Sequence, residues 1–478
     1  MGITIVGLGP GNGRFLTREA WELLSSAGTV YLRTERHPAV ADLPEAVERV
    51  SFDSVYEAAE NFEAVYAQIT AELLSLGRES DVVYAVPGHP FVGESTVTRL
   101  VAAAEEAGVP VSVVAGLSFV EPSLTAVHAD ALDGLQLFDA IELAQTLYPP
   151  LNSDQPALLG QVYSRMLAGE LKLTLTAVYP EQHLVSLIHA AGTPDELVET
   201  IPLYAIDRSE QIDHLTSLYI PALAYAADLS ALAQTVAVLR APDGCPWDIE
   251  QTPQSMRAGL LEEASEVLEA LDAEDIDGVR EELGDLLYHI VMQAQMAAEK
   301  EDFTLSDVIA EIDAKLKRRH PHIWGDWEVN GTADVLRNWE ILKKNEKERT
   351  PDSLLDNIPS ALPALARSQK IQDRVRKVGF DWPEIGGVYD KLNEEVAEIK
   401  AAATPEERAD ELGDLLFVTV NLASWLGVDA ESALRGANLK FSRRFHGVEQ
   451  LIAERKLDWA QLDLPALEAM WDEVKTAV

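Results

Sequence analysis

Pairs of carboxylate side chains stand at helical spacing in the second half of the 478-residue sequence. Glu263 and Glu266 are three residues apart, and so are Glu282 and Asp285, so each pair shares one face of a helix. If the two helices pack antiparallel, these carboxylates and Glu262 converge. Clustered carboxylate oxygens are the ligands that Mg²⁺ or Mn²⁺ prefers, so the pattern predicts a divalent-cation site.

The same order of residues recurs further along the chain. Residues 261–267 match residues 393–399, and residues 281–287 match residues 410–416. A basic segment follows each copy, at residues 315–319 and at residues 440–444. Two related helical domains are the simplest explanation. The second copy supplies its carboxylates at the same spacings: Glu395, Glu398, Glu411 and Asp414.

Apolar stretches follow the carboxylates, at residues 286–292 and 415–420. We expect both helices to be buried there, with each aspartate at the edge of a core, where an unpaired carboxylate costs several kcal/mol and a cation would relieve that cost. Gly284 and Gly413 stand at the same point of each copy. Glycine costs ~1 kcal/mol relative to alanine inside a helix, so its repetition predicts close helix packing. The alternative is an exposed acidic helix face, which is common in so acidic a chain.

The basic segments offer cations for phosphate oxygens. Arginine can fork onto two oxygens, whereas lysine acts as a point charge. Solvated helix faces are the alternative reading. A nucleobase could stack on a nearby aromatic side chain, although core packing is the commoner role. The cations are Lys315, Arg318, Arg319, Lys440, Arg443 and Arg444, and the aromatics are Trp324, Trp327, Trp339, Phe380, Trp382, Phe441 and Phe445.

Composition narrows the class of protein. A net charge of −42 repels nucleic acid, and no apolar run approaches the length that a membrane span needs. The first residues lack the basic region of a signal peptide. Cys245 is the single cysteine, so no intrachain disulfide can form. We therefore expect a cytoplasmic enzyme without nucleic-acid or membrane partners.

The pattern of elements changes near residue 226. Before it, apolar runs that alternate with helical stretches predict an α/β domain with a largely parallel sheet. After it, strand patterns disappear and helical periodicity predicts an all-α region. We predict domains at residues 1–225, 226–350 and 351–478, with residues 351–363 as a linker. The predicted strands are 3–6, 82–86, 109–114, 171–179 and 201–206, and the predicted helices include 17–27, 95–107 and 226–239.

Residues 230–455 resemble the MazG-type nucleoside triphosphate pyrophosphohydrolases. The resemblance rests on both carboxylate motifs and on residues 244–248, 318–322, 338–340, 370–374, 379–383 and 440–445. It implies an all-α, usually oligomeric enzyme that hydrolyses nucleoside triphosphates to monophosphate and pyrophosphate with Mg²⁺. It also implies that the second repeat carries the activity, since Pro253 and Ser265 replace a usual His and Tyr in the first. The implied metal ligands are Glu263, Glu266, Glu282, Asp285, Glu395, Glu398, Glu411 and Asp414.

Roles in the reaction follow from this resemblance and from charge. Lys440 and Arg444 are expected to meet the charge of the leaving pyrophosphate. Glu395 is expected to take part in catalysis as well as to bind the metal. Glu394 is the candidate base that activates water.

The first domain resembles the tetrapyrrole (corrin/porphyrin) methylases over residues 2–222. The resemblance rests on residues 7–11, 87–90 and 115–118, and it implies binding of S-adenosylmethionine between two α/β lobes. The cofactor-contacting residues would be Gly9, Pro10, Gly88, His89 and Ser118, although His89 stands where an Asp is common. Bacterial proteins that join this domain type to MazG-type domains exist. A structural tight turn is the alternative for the glycine loop alone.

Three functions are compatible with these observations. The first is a pyrophosphohydrolase with an attached methylase-like domain and an unknown methyl acceptor. The second is a methyltransferase whose helical half drives assembly or senses nucleotides. The third is an acidic scaffold that binds nucleotides without turnover. Intact carboxylates in both repeats favour the first, and the MazG resemblance favours a dimer.

Overall fold

The computed structural model of the chain describes residues 1–58, 61–345, 353–356 and 358–477. These residues form two compact units, 1–251 and 252–478. The helices at Leu229–Leu239 and Pro246–Glu250 lie in the first unit. The predicted boundary at residues 350/351 lies outside the described residues, as do residues 351, 352 and 357 of the predicted linker.

The first unit begins with a parallel sheet in the strand order β3-β2-β4-β1-β5. Its strands are β1 (Gly2–Gly7), β2 (Thr29–Leu32), β3 (Glu48–Ser51), β4 (Asp81–Val86) and β5 (Val111–Val114). Ile3 pairs with Val82 and Ile5 with Tyr84, and all four side chains are buried. Because β1 lies between β4 and β5, the loops after these three strands meet at one edge. The strands predicted at 3–6, 82–86 and 109–114 are confirmed.

Helices α1 to α4 accompany this sheet, whereas α5 packs on the second sheet that follows. Thr17 caps α1 by accepting a hydrogen bond from the Ala20 N–H, which explains why the predicted helix at 17–27 begins there. The predicted helix at 95–107 is confirmed as α4. The bounds are α1 (Arg18–Ser26), α2 (Asp53–Ala58), α3 (Phe62–Glu79), α4 (Ser95–Ala107) and α5 (Val120–Val127).

A second sheet follows, in the order β6-β7-β10-β8-β9. Only β6 and β7 pair in parallel, so the prediction of a largely parallel sheet holds for the first sheet alone. The bounds are β6 (Gln136–Asp139), α6 (Ala140–Ala144), β7 (Ala157–Gly160), α7 (Arg165–Leu175), β8 (Leu184–His189), β9 (Leu197–Pro202), β10 (Thr216–Ile220), α8 (Leu229–Leu239) and α9 (Pro246–Glu250).

Two strand predictions in this region are wrong. Residues 171–175 belong to α7, because Ser164 caps that helix and Leu167, Leu171 and Leu175 bury one helical face. Residues 203–208 form a 3₁₀-helix, and only residues 201 and 202 of the predicted strand lie in β9. An apolar run that could form either element was assigned to the wrong one in both places.

The second unit is helical throughout its described elements, as predicted. Its helices form two hairpins, α10–α11 and α16–α17, whose members pack against each other. The predicted helix at 226–239 is confirmed as α8 in the first unit. The bounds are α10 (Arg257–Asp272), α11 (Ile276–Ala298), α12 (Leu305–Arg319), α13 (Pro321–Trp324), α14 (Thr332–Asn345), α15 (Ala364–Arg376), α16 (Ile385–Ala401), α17 (Pro405–Trp425), α18 (Ala430–Glu454) and α19 (Leu464–Ala477).

The expectation that α11 and α17 are buried beside their aspartates is wrong. Leu287 is 40% exposed and Leu416 is 51% exposed, and burial begins only at His289 in α11 and at Val418 in α17. An alanine at Gly284 or Gly413 would meet no atom within 4 Å, so these glycines do not mark close packing. Apolar composition alone does not reveal which turns of a helix face another element.

The described helices include no single one that is long and apolar enough to cross a membrane. The bent pair α17 and α18 passes that test jointly, by length and composition.

Candidate functional site

The first carboxylate cluster lies where α10 and α11 pack together. Capping fixes the start of α11, since the Asp275 side chain accepts a hydrogen bond from the Gly278 N–H. One oxygen from each of Glu263, Glu266 and Glu282 lies within 4.8 Å of the others. Burial raises the pKa of Glu263, and the negative charges of Asp285 and Glu266 raise it further. The convergence predicted for the first repeat is therefore present.

The second cluster has the same construction on α16 and α17. A capping box at Thr404 and Glu407 starts α17, and oxygens of Glu395, Glu411 and Asp414 then lie within 4.8 Å of one another. Burial, followed by the charge of Glu398, raises the pKa of Glu411. All eight predicted ligands thus contribute to one cluster or the other, by distance or by electrostatic interaction.

Glu395 distinguishes this second cluster from an exposed acidic face. Its side chain is only 2% exposed, and its Oε2 atom is buried without a hydrogen-bond partner among the described residues. A buried carboxylate oxygen without a partner is costly unless a ligand satisfies it. A divalent cation is such a ligand, and the neighbouring oxygens of Glu411 and Asp414 are the donors that it prefers. The residues present therefore fit the metal that the resemblance implies.

Lys391 is a residue of this site that the sequence analysis missed. Its Nζ atom lies 2.7 Å from Glu395 Oε1 and 2.8 Å from Glu394 Oε1. Hydrogen bonds to Glu394 and Glu395 raise the pKa of Lys391 above its usual range, so it stays charged. Glu394, the candidate base, is exposed and is ion-paired to this lysine. Helical spacing was the available signal, since Lys391 stands four residues before Glu395.

His289 is the corresponding residue that was missed in the first cluster. It stands four residues after Asp285 on α11, and its Nε2 atom lies 3.8 Å from Glu263 Oε1. Burial lowers the pKa of His289, although Asp285 opposes that shift. The imidazole is therefore neutral at neutral pH, a form in which nitrogen can bind a metal.

The predicted basic residues lie on other helices of the same unit. Lys440, Arg443 and Arg444 are on α18, and Arg444 stacks over the Trp471 ring at 5.9 Å. Among the described residues, Lys440 and Arg444 form no ion pair with a carboxylate. Their charges are therefore available to an anionic ligand. In the first repeat, Lys315, Arg318 and Arg319 are on α12, and Arg319 stacks over Trp339 at 5.5 Å.

Aromatic side chains gather beside the second basic segment. Phe441 stacks on Phe445 with 6.0 Å between ring centroids, and Phe441 also contacts Trp471 at 5.0 Å. Trp471 on α19 was not predicted, because nothing in its local sequence marks it. Phe441 is 58% exposed, so this group presents a ring face that a base could cover. Phe380, which is 79% exposed, lies in the turn after α15.

The predicted cofactor loops meet at the edge of the first sheet. Gly9 and Gly88 have φ values of 74° and 66°, and their backbones exchange hydrogen bonds of 3.2 and 2.8 Å. A side chain at Gly7 would lie 2.6 Å from the Gly88 carbonyl oxygen, so glycine is required for this approach. Pro10 continues this turn.

His89 and Ser118 lie on the neighbouring loops, and each is held locally. The His89 Nδ1 atom accepts the Phe91 N–H at 3.1 Å. Ser118 is buried, and its hydroxyl donates to Glu121 Oε2 at 2.7 Å. Glu121, which also accepts the Ser118 N–H, is a further residue of this edge that the sequence analysis missed.

The fold and the clusters together define a two-part protein, with glycine-lined loops on an α/β unit and duplicated carboxylate hairpins in a helical unit. Family models match in the same order. Residues 2–207 match the Tetrapyrrole (Corrin/Porphyrin) Methylases, residues 251–324 the MazG nucleotide pyrophosphohydrolase domain, and residues 369–439 Phosphoribosyl-ATP pyrophosphohydrolase.

Similar proteins cover either the whole chain or one half. The chain is 39% identical to the protein YabN of Bacillus subtilis over 99% of this chain and 98% of that one. It is 47% identical to the nucleoside triphosphate pyrophosphohydrolase of Escherichia coli K12 over 50% of this chain and 93% of that one. A solved structure of uroporphyrin-III-C-methyltransferase from Thermus thermophilus aligns with a TM-score of 0.37 at 24% identity, covering 46% of this chain and 92% of that one. The chain belongs to the family that joins a tetrapyrrole methylase domain to MazG-type pyrophosphohydrolase domains.

Proposed function

We propose that the helical unit hydrolyses nucleoside triphosphates to nucleoside monophosphate and pyrophosphate with Mg²⁺ or Mn²⁺. The observation that carries this proposal is the buried Glu395 Oε2 atom, which has no described partner and lies in a cluster with Glu411 and Asp414. The 47% identity to a named pyrophosphohydrolase supports the same reaction. A nucleotide scaffold without turnover has no use for a carboxylate oxygen kept buried and unsatisfied.

In each repeat a cation would be held by the four carboxylates already assigned there. When bound, it supplies positive charge that offsets the triphosphate and favours ionisation of a water molecule. Mg²⁺ accepts oxygen ligands and keeps several waters, which suits a site built from carboxylates and open to solvent.

The remaining groups would act on the triphosphate and on the water. Lys440 and Arg444 would bind the phosphate oxygens, since neither is paired to a carboxylate within the described chain. Glu394 would accept a proton from the water that attacks the α-phosphorus. The bond from that phosphorus to the bridging oxygen then breaks, and pyrophosphate leaves with its charge beside Lys440 and Arg444. The aromatic group around Phe441 would cover the base.

The second repeat is the stronger candidate for turnover. It contains the buried Glu395, its lysine partner and the adjoining basic and aromatic residues. Replacement of Asp414 by asparagine should abolish pyrophosphate release from nucleoside triphosphates, measured with Mg²⁺ over a panel of canonical and damaged bases. Full activity in a variant that carries both Asp414→Asn and Asp285→Asn would refute the assignment. Circular dichroism of each variant checks that the helices persist.

A second function is proposed for the α/β unit: binding of S-adenosylmethionine as the donor in a methyl transfer. The paired turns at Gly9 and Gly88 support it, because their glycines carry no side chain and the space beside Gly88 is open to a ligand next to Pro10, His89 and Ser118. Calorimetric titration of S-adenosylmethionine into the full chain tests this site. A Gly88→Val change should abolish binding, whereas unaltered binding in that variant would exclude the loop.

We further propose that the protein is cytoplasmic and acts as a homodimer without nucleic-acid or membrane partners. The half-exposed leucines of both hairpins, such as Leu287 and Leu416, support self-association, because a water-exposed apolar stripe favours burial. Light scattering of the full chain measures the molar mass. A monomer at micromolar concentration would contradict this part of the proposal.

A further inference from the structure

The first cluster contains a nitrogen donor that the second cluster lacks. His289 is 6% exposed, and its Nε2 atom points toward Glu263 at 3.8 Å. The other ring nitrogen, Nδ1, is buried without a hydrogen-bond partner among the described residues. A buried imidazole that makes no described hydrogen bond and faces the Glu263 carboxylate calls for a ligand.

The two repeats have different residues at two corresponding positions near the carboxylates. His289 corresponds to Val418 when the aspartates are aligned, and Gly259 corresponds to Lys391 when the glutamates are aligned. A side-chain carbon at Gly259 would lie 2.7 Å from His289 Cε1 and 3.0 Å from Nε2. The glycine therefore makes room for the imidazole. The second repeat instead places an ammonium group against its buried glutamate and an apolar side chain where the imidazole stands.

We propose that the first cluster is a mixed nitrogen–oxygen site in which His289 Nε2 and Glu263, the carboxylate that it faces, bind a borderline divalent transition ion such as Zn²⁺ or Co²⁺ beside Glu266 and Glu282. This inference rests on the proposed function only in taking the carboxylate clusters as cation sites. Imidazole nitrogen favours such ions, whereas Mg²⁺ favours oxygen alone. The two repeats would then differ in metal preference, the first for a transition ion and the second for Mg²⁺.

The separation of the two atoms suits two ligands of one ion. Ligand atoms about 2.1 Å from an ion stand about 3.0 Å apart at a right angle and about 4.2 Å apart when opposite. The 3.8 Å between Nε2 and Glu263 Oε1 falls inside that range. It is also too long for a hydrogen bond between the two groups.

The test uses the full chain with Glu411→Gln and Asp414→Asn, so that the second cluster binds no cation. Co²⁺ alone and Mg²⁺ alone are titrated by calorimetry, and Co²⁺ binding is also followed by visible absorption. In this background His289→Gln should weaken Co²⁺ binding by roughly tenfold or more and leave Mg²⁺ affinity unchanged. The matched control is His446→Gln, since His446 also lies 3.8 Å from a glutamate oxygen but is 73% exposed and outside the cluster.

Unchanged Co²⁺ affinity in His289→Gln, or an equal loss for Co²⁺ and Mg²⁺, would overturn the proposal. A second readout does not depend on the variant folding. The Co²⁺-loaded chain with His289 intact should show a paramagnetically shifted imidazole N–H resonance, and its absence would also refute the site. Failure of the hydrolase proposal is distinguishable, because it would appear as absent pyrophosphate release in the unmodified chain with Mg²⁺ whatever Co²⁺ does.

Discussion

Lys391 and a divalent cation compete for the same buried carboxylate. The lysine Nζ atom lies 2.7 Å from Glu395 Oε1, while the Oε2 atom of that carboxylate stays unpartnered. Without a cation, the lysine supplies the one compensating charge that the described residues place against Glu395. A cation at Oε2 would lie close to the ammonium group, so the two positive charges oppose each other.

Replacement of Lys391 by methionine should therefore have opposite effects on the empty and the loaded protein. In EDTA the variant should unfold at a lower temperature than the parent, because Glu395 loses its compensating charge. Mg²⁺ should then raise the unfolding temperature more in the variant than in the parent. Lys400→Met on the same helix is the control, since Lys400 is exposed and forms no ion pair among the described residues. An equal Mg²⁺ effect in the parent and in Lys391→Met would contradict this competition.

His37 predicts a dependence of stability on pH in the first unit. Burial lowers the pKa of His37 from 6.5 to about 4, and its Nδ1 atom accepts the Ala39 N–H at 3.3 Å. Between these two pH values the histidine binds a proton in the unfolded chain and stays neutral in the folded chain. The stability that the folded protein gains from a neutral His37 is therefore complete above pH 6.5 and is lost as the pH falls toward 4.

The free energy of unfolding should fall by roughly 2 kcal/mol between neutral pH and about pH 5. Denaturant unfolding at the two pH values measures this difference in free energy. His37→Gln should remove most of this difference, whereas His214→Gln, at an exposed histidine of the same unit, should retain it. A His37 ring-proton resonance that titrates near the ordinary value would show that the imidazole is not excluded from water.

At the scale of elements, the α10–α11 hairpin contains one glycine that lies against another side chain and one that faces open space. Gly259 on α10 faces the His289 ring, and Gly284 on α11 faces open space. Gly259→Ala should destabilise the helical unit by about 1–3 kcal/mol, because the ring is buried and cannot move aside. Gly284→Ala should stabilise it by about 0.5–1 kcal/mol through helix propensity alone.

Denaturant unfolding followed by circular dichroism measures both changes. Adding His289→Ala to Gly259→Ala removes the clash and should recover part of the loss. A Gly259→Ala protein as stable as the parent would mean that α10 and α11 are not in close contact at this glycine. Such a result would also remove the steric reason for the glycine–histidine pairing in the first repeat.

At the scale of the whole molecule, the chain places two kinds of site in two compact units. Each proposed ligand should therefore protect its own unit. A slowly hydrolysed nucleoside triphosphate with Mg²⁺ should slow hydrogen exchange in residues 252–478, and S-adenosylmethionine should slow it in residues 1–251. At a hundredfold excess over Kd the gain is about 2.7 kcal/mol in the liganded unit.

The control for this experiment is the chain with Glu411→Gln and Asp414→Asn. It should lose protection by the nucleotide and keep protection by S-adenosylmethionine. Protection of both units by either ligand would indicate that the units are energetically coupled. Protection of neither unit by the nucleotide would count against the hydrolase proposal.

The sequence by itself determined the features that depend on local spacing. Glutamates and aspartates three residues apart share a helix face whatever the helix packs against, so both clusters were predictable from the pattern and its repetition. The strand–glycine loops after β1 and β4 were predictable for the same reason. Family resemblance added the identities of the ligands, which spacing alone left open.

Only the tertiary structure decided what surrounds those side chains. His289 and Gly259 became part of the first cluster because α10 meets α11, and their own spacing says nothing about the partner helix. Lys391 contacts Glu395 along its own helix, but the burial of that carboxylate depends on the packing around it. The open space beside Gly284 and the exposure of Leu416 likewise depend on where neighbouring helices end. Burial and hydrogen bonding are properties of residues distant in sequence, so periodicity predicts a face but not what covers it.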